Sequence, residues 1–312
     1  MKIVSLFSGA GGLDLGLIKA GHEIVWANDN DPHAVETYKY NIGPHAVLGD
    51  IKDIKTKDIP ECDVVVGGFP CQGFSVANTA RSSSDSRNKL YLELLRVITD
   101  KQPAFFLAEN VKGLLSLEKG KVFEIILKDF NSLGYRVQYK VLNAAHFGVP
   151  QRRERLIIVG VRNDIDYKYE FPKQTHISPD KSDELGLLPW VSIGSALKHV
   201  PEPEEAPDLP NHTYSKYKLR FNGYIGNRLI DPNLPAPTVT ARGDNKGGVV
   251  VLHHPKNHRR MSARELALTQ SFPMDFLFCS PQSISYRLIG NAVPPLLGEV
   301  IGKSLPLNLP KA

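Results

Sequence analysis

Ile3-Val4-Ser5-Leu6-Phe7-Ser8-Gly9-Ala10-Gly11-Gly12-Leu13-Asp14-Leu15-Gly16 is the stretch whose reading decides the fold. The apolar run from Ile3 to Phe7 predicts a buried strand, three glycines break it, and a helix opens behind them. A strand that turns through glycines into a helix is the context of a nucleotide-binding loop, because glycine lets backbone approach a ligand closely. The spacing is not G-x-G-x-x-G, and Asp14 would repel a pyrophosphate, so a dinucleotide fits poorly. A ligand with a zwitterionic amino-acid end, such as S-adenosylmethionine, suits the polar loop better. A tight strand-to-helix turn with no ligand at all needs the same glycines.

The rhythm set there continues to about Arg162. Apolar segments at Glu23 to Ala27, Asp63 to Val66, Ala104 to Ala108, Val137 to Leu142 and Leu156 to Val161 predict further strands. Amphipathic runs such as Tyr91 to Asp100 and Lys121 to Leu133 lie between them. Alternating strands and helices predict a parallel α/β sheet with crossover helices. From Asp164 to Pro210 the texture changes to Pro, Asp, Glu and Lys with one short helix at Ser192 to His199, which marks a domain boundary. Residues 211–260 are basic and Gly-rich, with possible strands at Ala236 to Ala241 and Val249 to His253, and predict a small irregular β-containing domain. Ser262 and Glu265 form a capping box ahead of the next helix, and Pro294-Pro295 open a last one from Leu296 to Leu305.

Composition narrows the class. The 312 residues include no apolar run near the roughly 18 needed to span a membrane. Three cysteines, Cys62, Cys71 and Cys279, with no C-x-x-C pair argue against a disulfide framework or a zinc ribbon, and for a reducing compartment. A soluble, cytoplasmic protein is expected. The net charge of +5 hides an asymmetry: residues 1–210 carry 25 Lys and Arg against 28 Asp and Glu, whereas residues 211–312 carry 13 against 5. The basic third is where a polyanion would bind, although a solubilising surface is the plainer alternative.

Gly67-Gly68-Phe69-Pro70-Cys71-Gln72-Gly73-Phe74-Ser75 sets one cysteine behind a proline at the end of an apolar run. A cysteine at the carboxyl edge of a strand lies where open α/β sheets put their ligand crevices. It serves there either as a nucleophile or as a small buried hydrophobe. Asn28-Asp29 places a carboxylate about 20 residues beyond the glycine loop, where ribose hydroxyls are held in nucleotide folds, and Gly49-Asp50 ends another strand. Glu109, in Ala108-Glu109-Asn110-Val111, is a carboxylic acid at the same sheet edge as Cys71, able to donate a proton if burial raises its pKa. In Gln151-Arg152-Arg153-Glu154-Arg155, strand alternation sends Gln151, Arg153 and Arg155 to one face, which suits an anion or a base edge. His253, His254 and His258 look like metal ligands at first, but Pro255 forbids the helix that would align them, so no metal site is expected.

A thiol, an acid and an arginine beside a methyl-donor site make one chemistry, methylation at C5 of a pyrimidine. In these residues the chain closely resembles the DNA (cytosine-5) methyltransferases of the bacterial restriction-modification type. The motifs run in family order: F-S-G-A-G-G from Phe7, the acidic strand ends, G-F-P-C-Q, E-N-V, Q-R-R-E-R, the Arg228 to Arg242 stretch with Pro237-Thr238-Val239-Thr240, and Gly290-Asn291-Ala292-Val293-Pro294-Pro295. The resemblance implies a Rossmann-like mixed sheet with a second, smaller target-recognition domain. The last helix would return to the sheet, giving a catalytic domain of residues 1–180 and 282–312 and a small domain of 181–281. It implies Cys71 as nucleophile and Glu109 as proton donor to N3 of a flipped cytosine, with Arg153 and Arg155 bracketing that base. Phe7, Gly9, Gly11, Asn28, Asp29, Asp50, Leu90 and Asn291 fall at positions that hold S-adenosylmethionine. Gln72, Ser75, Gln151, Arg220, Thr240 and Arg242 fall on the substrate side. The partner implied is double-stranded DNA, met by a monomer at the bacterial nucleoid.

Asn30 stands where many relatives carry tryptophan beside the acidic cofactor residue, so Phe7 would carry more of the adenine stack. The target-recognition region is short. Base readers are expected among Arg220, Asn222, Asn227, Arg242, Asp244, Asn245 and Lys246. A tRNA-directed relative tends to have threonine in place of Ser75. A thymidylate-synthase-like enzyme would need a folate site, and a regulator without activity would not keep Cys71 with Glu109.

Overall fold

A computed structural model describes residues 1–69, 88–181, 186–223, 226–241 and 251–310. The alternation expected up to Arg162 appears as β1 (Lys2–Leu6), α1 (Gly12–Lys19), β2 (Glu23–Asp29), α2 (Pro32–Asn41), β3 (Ala46–Leu48), β4 (Val64–Gly67), α3 (Asn88–Lys101), β5 (Phe105–Val111), α4 (Lys121–Ser132), β6 (Tyr135–Asn143) and β7 (Glu154–Arg162). The strands make one sheet in the order β3-β2-β1-β4-β5-β7-β6. It is mixed, as the resemblance implied and the alternation alone did not: β7 runs antiparallel to both β5 and β6. The reason is the β6 to β7 connection, residues 144–153, which holds only a 3-10 turn at Ala144–Phe147 and is too short for a parallel crossover.

Side-chain alternation along the strands divides the core in two. Ile3, Val64, Val66, Phe105, Leu107, Ile157 and Val159 pack with α1, α2 and the last helix, α8 (Pro295–Gly302). Val4, Leu6, Val65, Phe106, Ala108, Leu156 and Ile158 pack with α3 and α4 on the other side. The end of the chain thus returns to the sheet. At Gly16 of α1 an added Cβ would stand 2.3 Å from the Pro295 carbonyl oxygen, so α1 and α8 touch backbone to backbone.

Beyond β7 the chain forms a smaller lobe. A two-residue parallel pair, β8 (His176–Ile177) with β9 (Leu188–Pro189), leads to α5 (Ile193–Ala196), shorter than the helix expected from Ser192 to His199. α6 (Ala263–Thr269) and α7 (Gln282–Asn291) follow, and α6 has the expected capping box between Ser262 and Glu265. The strand expected at Ala236 to Ala241 forms no ladder; Ala236 makes one isolated bridge, with Gln151. Pro235 and Pro237 on either side of it lack the N–H groups that a ladder needs. Only the last part of the Val249 to His253 segment is described, with one bridge from His253 to Arg260. A third cluster built on Leu252, Met261, Leu266, Phe272, Phe276, Phe278 and Ile289 forms this lobe's core and takes in Ala10 and Ala34 from the sheet side.

The basic surplus of residues 211–312 does not all face solvent. Arg259 donates to both Glu265 oxygens at 2.7 and 2.8 Å and to Glu202 at 2.8 Å. Arg260 and Arg264 are buried, the first bonded to Asn227 Oδ1 and the Gly226 carbonyl, the second to the Phe276 carbonyl. Asn227, expected among the base readers, is therefore a buried partner of Arg260. Among the described residues, no helix is long and apolar enough to cross a membrane.

Candidate active site

From β1 the chain moves to β2 on one side of the sheet, and from β4 to β5 on the other. Ligands of open α/β sheets bind at such a switch, outside the carboxyl ends of the strands. A cavity of about 780 Å³ lies there, lined by Phe7 to Ala10, Asp14, Asp29 to Asp31, Gly68, Glu109, Arg153, Arg155, Thr240, Arg287 and Asn291, among others.

The glycine loop is held tightly. Phe7 sits at φ 55°, Gly9 at 55° and Gly11 at 84°. For a phenylalanine this left-handed region costs about 1–2 kcal/mol. The bonds from Ser8 N to Asn28 O at 3.0 Å and from Gly9 N to Asp29 Oδ2 at 2.8 Å keep the loop in place. At φ 84° Gly11 holds a left-handed backbone conformation that other residues rarely adopt, so glycine is a requirement of the turn there. Asp29 also accepts from Asp31 N at 2.9 Å, and burial pushes its carboxyl above the ordinary value. Beneath the loop, Asp14 accepts from Ser5 Oγ at 2.8 Å and from the Tyr38 hydroxyl at 2.9 Å. Burial, partly countered by these two bonds, raises its pKa to about 6.

Glu109 and Arg155 stand on adjacent antiparallel strands. Because Glu109 is in register with Ile157, Arg155 is its diagonal neighbour, and Arg155 Nε lies 2.7 Å from Glu109 Oε1. Both side chains are nearly buried, 12% and 13% exposed. Next to them Asn110 Nδ2 donates to the Phe69 carbonyl at 2.8 Å and so fixes the last described residue before Cys71. Cys71, Gln72, Ser75 and Arg242, with Asp244, Asn245 and Lys246, lie outside the described residues.

Arg153 is fully buried and ties the lobes together, donating to Val239 O at 2.8 Å and to Gly290 O at 2.9 Å. Desolvation, then Arg155 nearby, lowers its pKa, and its Nε has no partner among the described residues. Gln151 is also buried; its amide donates to Gln270 Oε1 at 2.8 Å and accepts from Val239 N at 2.9 Å, so it braces the Pro237-Thr238-Val239 segment. The Thr240 Oγ1 is buried and likewise unpartnered among the described residues. Arg220 is exposed on the small lobe.

Of the positions expected to hold the cofactor, Phe7, Gly9, Asp29 and Asn291 line the cavity. Asn28, Gly11, Asp50 and Leu90 are not in its described lining. Asn28 donates to the Val47 and Gly49 carbonyls at 3.0 and 2.9 Å, Asp50 caps the Ile51–Asp53 turn through Lys52 N, and Leu90 packs against the α3 and α4 side of the core. Ser5, Asp31 and Arg287 line the cavity without having been expected to. None belongs to a residue pattern that marks it in one dimension.

The residues fit S-adenosylmethionine. Carboxylates at Asp14 and Asp29 suit a cationic ligand with hydroxyl groups, and the unpartnered Thr240 Oγ1 and Arg153 Nε belong to residues of the same wall.

A family model for C-5 cytosine-specific DNA methylases matches residues 1–306. The type II methyltransferase M.NgoFVII of Neisseria gonorrhoeae is 42% identical over 97% of this chain and 86% of its own length. M.MthTI of Methanothermobacter thermautotrophicus is 37% identical over 99% of this chain and 98% of its own. Among solved structures, a prophage-encoded DNA modification methyltransferase (E. coli) superposes with a TM-score of 0.73 at 25% identity, covering 97% of this chain and 98% of that one. The S. pombe Dnmt2 methyltransferase shares the fold, with a TM-score of 0.69 at 22% identity over 97% and 96% of the two chains. With the sheet order, the glycine-loop cavity and the Glu109–Arg155 pair in place, and a match over nearly its whole length, the chain belongs to the C-5 cytosine-specific DNA methylase family.

Proposed function

We propose that the protein methylates C5 of a cytosine flipped out of a specific duplex DNA sequence, as the modification enzyme of a restriction-modification system. The observation that carries this reading is the Glu109–Arg155 pair at 2.7 Å, on the cavity wall two strands from the glycine loop. S-adenosylmethionine, held by Phe7, Gly9, Asp29 and Asn291, supplies an electrophilic methyl group. The C5 carbon of cytosine is a poor nucleophile. Attack of the Cys71 thiolate on C6 pushes electron density through the ring to N3 and the carbonyl oxygen. The Glu109 carboxyl delivers a proton to N3, and the Arg155 guanidinium meets the charge growing on the oxygen. C5, now the carbon of an enamine, takes the methyl group. The sulfonium's electron pair leaves with S-adenosylhomocysteine, and loss of the C5 proton, expulsion of the thiolate and return of the N3 proton to Glu109 then restore the neutral aromatic ring. Arg153, through its bonds to the Val239 and Gly290 carbonyls, ties those two segments to the cavity lining.

The domain division at 1–180 with 282–312, and 181–281, is part of this proposal; the packing of α8 on α1 supports the return of residues 295–302 to the sheet, whereas α7 packs in the core of the small lobe. DNA would lie between the lobes, and extrusion of the base costs about a few kcal/mol in unstacking. Transfer of tritium from labelled S-adenosylmethionine to duplex DNA, but not to tRNA or dUMP, tests the substrate. A duplex containing 5-fluorocytosine should trap the wild-type protein covalently, since fluorine cannot leave as a proton does. Methylated DNA without a trapped adduct would remove Cys71 from its proposed role.

A further inference from the structure

Arg287, one helical turn before Asn291 on α7, meets Asp31, the residue that caps α2. Arg287 Nη1 lies 2.7 Å from Asp31 Oδ2, and both residues line the cavity. Asp31 is itself fixed: its Oδ1 accepts from His33 N at 3.0 Å, and its backbone N–H donates to Asp29. The guanidinium is therefore oriented by the segment that also presents Asp29, one of the residues that hold S-adenosylmethionine in the proposed function. It remains 44% exposed. A partly exposed ion pair contributes little to stability, so the placement is better explained by the position of Arg287 in the cavity lining.

Among the described residues that line the cavity, the aromatic ones are Phe7 and Phe69, which pack with the α3 and α4 core, and Asn30, beside Asp31 in the same lining, offers no ring. Guanidinium is planar, weakly hydrated and stacks on aromatic faces. Its pairing with Asp31 offsets the positive charge, so a ligand that carries a sulfonium is not repelled. We propose that Arg287, oriented by Asp31, is a cofactor-binding residue that lays its guanidinium plane against the adenine ring on the side where Asn30 offers none. This assignment rests on the S-adenosylmethionine reading of the cavity.

The test is calorimetric titration of S-adenosylhomocysteine, which binds without reacting, into the wild type, Arg287→Ala, Arg287→Lys and the double variant Asn30→Trp/Arg287→Ala, with melting of each apo protein alongside. Arg287→Ala should weaken binding about tenfold. Arg287→Lys should do nearly the same, because an ammonium keeps the charge and loses the plane. Asn30→Trp should recover most of the loss in the Ala background. Wild-type affinity in either single variant overturns the assignment. If Arg287→Ala also melts early, the double variant decides: recovered affinity supports the stack, and unrecovered affinity overturns it. Failure of the wild type to bind would overturn the cofactor reading and this assignment with it, whereas wild-type binding with an unaltered Ala variant overturns the assignment alone.

Discussion

Glu109 and Arg155 are paired with one another, and Arg155 also donates to the Glu154 carbonyl at 2.8 Å. Both are nearly buried, so removing one leaves a charge in a poorly solvated place. Glu109→Gln keeps the shape without the acidic proton and should lower kcat by about 10²-fold, with a smaller effect on cofactor affinity. Arg155→Ala should lower it by a comparable factor, and the double variant should fall well short of the product because the two act on one ring. Single-turnover rates on a duplex substrate check this; fully multiplicative losses would separate their roles. Asp14 gives a prediction in pH. Its carboxyl, near 3.8 when unfolded, is raised to about 6 in the fold. The folded state therefore holds the proton more tightly; this contribution is complete below about pH 4 and is lost as pH rises through 6. Asp14→Asn should accordingly be more stable than the wild type at pH 7.5, by about 1–3 kcal/mol, and the gap should close toward pH 4. Denaturant melts at several pH values check it, and a gap independent of pH would show that Asp14 does not titrate in this window. Chemistry-bearing types at strand ends, such as Glu109, were legible in one dimension. Asp31 and Arg287 were not, because they meet only when opposite ends of the chain are brought together.

Among the helices, α1 and α8 approach backbone to backbone. Gly16→Ala would drive a methyl group toward the Pro295 carbonyl at 2.3 Å and the Glu299 amide nitrogen at 2.5 Å, atoms that move only if a whole helix moves. It should cost about 1–3 kcal/mol, as overpacking does. Gly49→Ala, whose nearest neighbour would be Ile54 Cδ1 at 3.7 Å, is the control and should change stability little. Urea midpoints compare the two, and equal midpoints would mean that the helices can part at no cost. At this scale the strands were legible because β-branched and aromatic residues cluster between turn residues, as in Val64-Val65-Val66. The direction of β7 was not legible from its own composition. It follows from the length of the connection before it.

Across the whole molecule, the small lobe separates cations that build it from cations left outside. Arg259, Arg260 and Arg264 are internal struts, whereas Lys216, Lys218, Arg220 and Arg228 are exposed. Alanine at these exposed positions should split into two groups. Loss of a phosphate contact weakens DNA binding evenly across sequences and lowers the salt slope by about one, whereas loss of a base contact costs about 1–3 kcal/mol at one position of the site. Binding isotherms at several salt concentrations, on cognate and altered duplexes, sort them. If every variant kept the parent's preference and salt slope, sequence reading would have to lie elsewhere, with residues 75–89 the next place to look.

The sequence by itself determined the sheet-and-helix alternation, the glycine loop on the first strand and the carboxylic acid at the end of another; the return of the last helix came from the family resemblance. The first three follow from local rules, because side-chain period and turn chemistry are written in neighbouring residues. Tertiary structure alone decided which groups of the basic third are buried, that Gln151 and Arg153 brace Val239 and Gly290, and that Asp31 orients Arg287 over the cavity. Arg, Gln and Asp read the same in one dimension whether they face solvent, a carbonyl or a ligand. Only the packing of distant segments settles which polar groups lose water, and the partners they find there set their roles.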